Sequence, residues 1–94
     1  MTIKTRKWDI TEHLGSDEEV AAYLEAVFEG GDGDEIRRAL SHVARARGMT
    51  EVASAVGITR SGLYKALGEG GNPSFGTVSA ILKALGVRMT VAAG

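Results

Sequence analysis

Between positions 59 and 65 the chain gathers side chains that a phosphate or the edge of a base would engage. Read as a short helix capped by Thr59, the stretch RSGLYKAL puts Arg60, Ser61, Tyr64 and Lys65 on one face and Leu63, Ala66 and Leu67 on the other. The first set offers charged donors, a hydroxyl and an aromatic ring. The second is apolar and must be covered. Arg60 falls in the first helical turn, where the helix dipole favours an acid and disfavours a cation by roughly 0.3 kcal/mol or more. No acid lies between Arg60 and Lys65 to offset it. A helix selected only for stability avoids this arrangement, whereas a helix whose N-terminus meets phosphates and base edges needs it. The spacing alone also fits an αα-hairpin without a ligand, with Tyr64 as a half-covered helix aromatic. Gly62 costs such a helix up to ~1 kcal/mol relative to Ala; close approach to a phosphate backbone is one use for it.

Charge is segregated along the chain although the net charge is only −1. Ten acids and no Lys or Arg lie between Asp9 and Glu35, and six basic residues against the single acid Glu51 lie between Arg37 and Leu67. This pattern suits a basic surface for a polyanion beside an acidic surface for another partner. Two solvated faces would produce the same pattern.

Other chemistries find little footing. There is no cysteine, which excludes disulfides and thiolate metal sites. His13 and His42 are far apart and belong to no metal-ligand spacing. The run Gly68–Gly71 is neither preceded by a strand nor followed by Gly-Lys-Ser/Thr, so it reads as a loop rather than a phosphate cradle. Glu18 and Glu19 diverge around a helix and read as solvating charges. No catalytic residue, metal or cofactor is expected, and the chain reads as a binding protein rather than an enzyme.

The reading face at 59–65 needs a scaffold. In GMTEVASAVGITRSGLYKAL, two short helices, Met49–Val56 and Arg60–Leu67, are hinged at Gly57-Ile58-Thr59. A steep crossing needs a small residue where the backbones approach, which Ala53 supplies, and a tight turn needs positive φ, which Gly57 supplies. Val52, Val56, Ile58 and Leu63 are expected to face the core. Before this pair, Ser16 and Glu19 form a capping box, with Glu19 expected to return a bond to the Ser16 N–H. Val20, Tyr23, Leu24, Val27 and Phe28 then follow at helical spacing up to Gly30-Gly31. Asp32 or Asp34 caps a second helix, whose buried stripe is read as Ile36, Ala39, Leu40, Val43 and Ala46, leaving Arg37, Arg38 and Arg45 outward. Ser74 caps a last helix with Val78, Ile81, Leu82 and Leu85 inward. Val87, Met89 and Val91 then alternate with Arg88, Thr90 and Ala92 at the period of a half-buried strand. Such a strand would pair with Ile3–Lys7 or with a second subunit.

The 94 residues therefore read as one domain, small enough to bury only roughly 60–65% of its unfolded surface. The expected fold is all-α: about five helices and a short C-terminal β-strand. An acidic lead-in and first helix occupy 1–31, the helix-turn-helix 48–67 and the strand 87–92. The N-terminal stretch MTIKTRKWD lacks the apolar run of a signal peptide. No apolar run approaches the ~20 residues of a membrane span. The expected location is the cytoplasm, without membrane association.

GMTEVASAVGITRSGLYKAL followed by GNPSFGTVSAILKALGV resembles the Cro/repressor (lambda-repressor-like) helix-turn-helix. From WDITEHL through ARARGM and LYKAL to the last residues, nearly the whole chain resembles the HigA-like addiction module antidote family. One departure is Met49, which stands where repressors of this class often carry Gln. The resemblance implies an antitoxin that binds a RelE/ParE-type toxin and, as a homodimer, represses its own operon. On that reading Thr59, Arg60, Ser61, Tyr64 and Lys65 face the major groove of operator DNA, while Arg45, Arg47, Asn72 and Ser74 touch phosphates. Toxins of this type are commonly basic, so Glu18, Glu25 and Glu29 on the acidic first helix are the expected toxin contacts. A stand-alone regulator without a toxin, or a protein-interaction module with a vestigial DNA face, would carry the same sequence features.

Overall fold

The computed structural model describes residues 14–94, all of whose regular structure is helical. The Ile3–Lys7 segment and most of the lead-in lie outside the described residues.

Ser16 opens α1 (Asp17–Gly30), its hydroxyl accepting from the Glu19 N–H, and Gly31 closes it in the left-handed conformation. The reciprocal half of the capping box is displaced by one residue, because Glu19 Oε1 accepts from Gly15 N at 3.0 Å rather than from Ser16. Asp32 caps α2 (Gly33–Arg47) by accepting from the N–H groups of both Asp34 and Glu35. Gly48, at φ 106°, turns the chain into α3 (Met49–Val56). Gly57, at φ 90°, turns it again toward α4 (Arg60–Leu67), as the positive-φ expectation required. Ser74 caps α5 (Phe75–Ala84).

Every helix contributes to a single core. Val20 and Leu24 of α1, Leu40 and Val43 of α2, Val52 and Ala53 of α3, Leu63 and Leu67 of α4, and Ile81 and Leu82 of α5 are buried together. The short helix α3 sits at the centre, packed against α2, α4 and α5, while α1 packs on α2. Ala53 is the small residue through which α3 fits among its neighbours. Met49 belongs to this core at 5% exposure, so its side chain serves packing.

Four sequence expectations are corrected. Ala44, not Ala46, is buried on α2, and Arg37 is buried rather than outward. The cause is that α1, α3 and α4 all pack on α2, which widens its buried face beyond one stripe. Ile58 lies at the surface of the turn, 36% exposed. Residues 87–92 form no strand. The Val87 N–H bonds back to Leu82 O as part of the α5 terminus, and the described residues provide no strand with which positions 88–92 could pair. Val91 is 95% exposed.

Candidate nucleic-acid interface

The polar face of α4 is held from below and at both ends. Leu63 and Leu67 anchor it in the core. At its N-terminus, Thr59 Oγ1 accepts from Gly62 N at 2.9 Å, which fixes the helix start while leaving the hydroxyl proton free to donate. A Cβ at Gly62 would lie 3.1 Å from that cap oxygen, so the glycine also makes room for the cap. Arg60, Ser61, Tyr64 and Lys65 are all exposed.

These side chains are not independent. The Arg60 guanidinium carbon lies 5.4 Å from the centre of the Tyr64 ring, and Arg60 Nη2 donates toward Tyr64 Oη at 3.5 Å. From α2, the Arg45 guanidinium carbon lies 5.6 Å from the same ring centre. Tyr64 therefore gathers two cations from two helices by cation–π attraction. The result is a convergent cationic surface on α4, with the ring exposed. Such a surface can pair with phosphates and offer a bidentate guanidinium to a base edge.

The remaining expected contacts divide. Asn72 is exposed and shares a cleft of about 430 Å³ with Gly62 and Lys65, which brings the loop alongside α4. Ser74 is exposed, but its oxygen is engaged as the α5 cap, accepting from Thr77 N at 3.1 Å. Arg47 is not part of the cluster. It is half-buried, its Nη2 2.8 Å from Asp17 Oδ1, and its Nε donates to Leu14 O at 3.4 Å. This side chain ties the end of α2 to the start of α1 and is a fastening rather than a free cation.

Sequence reasoning missed Arg37, which is 8% exposed. Its Nη1 donates to Leu67 O at 3.1 Å and Gly68 O at 2.7 Å, the terminal carbonyls of α4. A cation here complements the negative end of the helix dipole and satisfies acceptors that α4 cannot satisfy itself. Asp34 stands 3.8 Å from the guanidinium, while Nε has no partner. The available signal was Ser41 and Ala44, small residues at i+4 and i+7 from Arg37, which mark that face as buried.

Away from this surface, Glu18, Glu25 and Glu29 are exposed at i, i+7 and i+11 on α1 and so share one face. Glu25 also borders an apolar groove of about 370 Å³ between α1 and residues 87–90, lined by Leu24, Phe28, Leu82, Val87 and Met89 among others. Among the described residues no cluster of His, Cys, Asp and Glu is placed to hold a metal ion, and no helix is long and apolar enough to cross a membrane.

Comparison with known proteins adds a relative and a family. An uncharacterized protein of Haemophilus influenzae is 43% identical over 91 residues, covering 97% of this chain and 94% of the relative. No solved structure matches the chain. Residues 4–93 match the family described as "Probable addiction module antidote protein". The chain belongs to that family of probable addiction module antidotes.

Proposed function

We propose that this chain is a DNA-binding antitoxin, with α3 and α4 acting as a helix-turn-helix of the Cro/repressor, HigA-like type. The observation that carries the DNA reading is the convergence of Arg60 and Arg45 on Tyr64, at a helix N-terminus with no acid in its first turn. In this reading α4 enters the major groove with Arg60, Ser61, Tyr64 and Lys65 toward the bases, and Thr59 at its rim. Arg45 and Asn72 meet flanking phosphates, and Ser74 holds the start of α5 in place. The partners are operator DNA and a RelE/ParE-type toxin, and the outcome is repression of the chain's own operon in the cytoplasm without cofactor or catalysis. The family's description as antidotes supports a toxin partner over a stand-alone regulator.

DNA affinity should fall steeply as salt rises, with a log–log slope of roughly −0.9 for each phosphate neutralised. Fluorescence anisotropy across a salt series on the duplex upstream of the gene measures it. A slope near zero removes DNA from the account.

The acidic face of α1 supports the second activity. Its charges would be repelled by a duplex and suit a basic protein. Reversal of Glu18, Glu25 and Glu29 to Lys should slow toxin association by about tenfold or more and leave DNA affinity unchanged or raised. Unchanged stopped-flow association with the toxin would defeat this assignment.

A homodimer follows from geometry, because one such unit reads a half-site and a two-fold axis places two of them about 34 Å apart. The exposed apolar side chains Met89 and Val91 are the proposed contact. A chain ending at Gly86 should sediment as a monomer, and a dimer in that experiment would place the interface elsewhere.

A further inference from the structure

The cationic surface built around α4 continues along α2. Arg38, His42 and Arg45 stand at i, i+4 and i+7, and all are exposed, so they form one ridge. Arg45 ends that ridge against the Tyr64 ring, 5.6 Å from its centre. The ridge borders a cleft of about 570 Å³ whose other wall is residues 67–70, the segment that leaves α4.

The middle residue has a defined partner. His42 Nδ1 lies 3.2 Å from Tyr23 Oη, which reaches over from α1. Burial raises the Tyr23 pKa above its usual value, so the phenol keeps its proton and is able to donate it. In the tautomer in which Tyr23 Oη donates, His42 accepts at Nδ1 and carries its own proton on Nε2, where an outside acceptor can take it. Two acids, Asp34 and Glu69, also line the cleft. Asp34 lies 3.8 Å from the Arg37 guanidinium, and Glu69 is exposed on the opposite wall. An anion is therefore favoured on the ridge itself rather than deep between the walls.

We propose that Arg38 and His42 form a phosphate-contact site on α2, along which the backbone of the duplex read by α4 continues. Arg38 supplies charge, His42 supplies a neutral N–H donor, and Tyr23 is a positioning residue that fixes the His42 tautomer. The inference rests on the DNA reading above.

The test uses the full chain at pH 8. Affinity is measured across a salt series for the duplex upstream of the gene and for a scrambled duplex. Arg38→Ala should weaken both duplexes alike and flatten the salt slope by about one. His42→Ala should weaken both by about tenfold with the slope unchanged, because the lost donor is uncharged. Tyr23→Phe should act in the same direction, and combined with His42→Ala it should add nothing to the single His42 variant. Nitrogen-15 NMR of the free protein should show the proton of His42 on Nε2. An unchanged slope in Arg38→Ala overturns the proposal, as does a Nδ1–H tautomer together with a silent Tyr23→Phe. A flat slope in the parent protein, with Arg60→Ala equally silent, would show instead that the DNA reading itself had failed.

Discussion

Arg60→Ala should lower affinity for the specific site by roughly 5- to 150-fold, the equivalent of the ~1–3 kcal/mol carried by a bidentate base contact. The melting temperature should barely move. Removing a cation from the first turn of α4 relieves roughly 0.3 kcal/mol or more of dipole penalty. Losing its contact with Tyr64 costs an exposed cation–π interaction of roughly 0.5–1 kcal/mol. These terms oppose each other, so the effect on function is far larger than the effect on the fold. Arg60→Lys sharpens the measurement, because Lys keeps the charge but not the planar fork. It should preserve the salt slope and lose discrimination between the specific and scrambled duplexes. A parallel fall in melting temperature and affinity for Arg60→Ala would mean that the residue is scaffolding and not a reader.

Arg37→Ala should behave in the opposite way, destabilising the protein by about 1–3 kcal/mol. Leu67 O, a buried acceptor at the end of α4, loses its donor, and leaving it unsatisfied costs roughly 1–3 kcal/mol. Gly68 O adds little to the loss, because it keeps the Gly71 N–H at 2.8 Å. The unpartnered Nε acts in the same sense, since removing the guanidinium also removes a buried donor that was never satisfied. Chemical denaturation gives the stability change, and amide exchange locates it. Protection should fall first at the C-terminal turn of α4 and in the loop after it. Loss of less than ~0.5 kcal/mol would show that water replaces the arginine at little cost.

Much of this architecture was legible because its signals are local. Ser16, Asp32, Thr59 and Ser74 each cap the next helix in the chain, since a short oxygen-bearing side chain before an apolar period satisfies an end N–H wherever it occurs. Gly57 marked the turn between α3 and α4 for a similarly local reason. The exposed face of α4 followed from the periodicity that buries Leu63 and Leu67. The features that escaped a sequence reading depend on distant partners. Arg37 and Arg47 look alike as sequence, yet one is buried against residues 30 positions away and the other is drawn to Asp17. The alternation at 87–91 was a true period of two, but a strand also needs a neighbour, and none lies among the described residues. The meeting of Arg45 with Arg60 across Tyr64 was likewise invisible, because it is created by how α2 and α4 pack.

The contacts that α2 makes with both α1 and α4 carry a thermodynamic consequence. Through Tyr23–His42 and Asp17–Arg47 it is bonded to α1, and through Arg37–Leu67 and Arg45–Tyr64 it touches α4. A ligand seated on α1 and a duplex seated on α4 would thus press on the same rod. Reciprocity then applies: whatever factor the first ligand imposes on the affinity for the second, the second imposes on the first. A chain that released DNA on capturing a toxin would bind that toxin more weakly while on the operator, by an equal factor. A chain that held both would make the toxin its own co-repressor. Under the proposed function, the sign of that one coupling constant would decide whether rising toxin levels open the operon or close it.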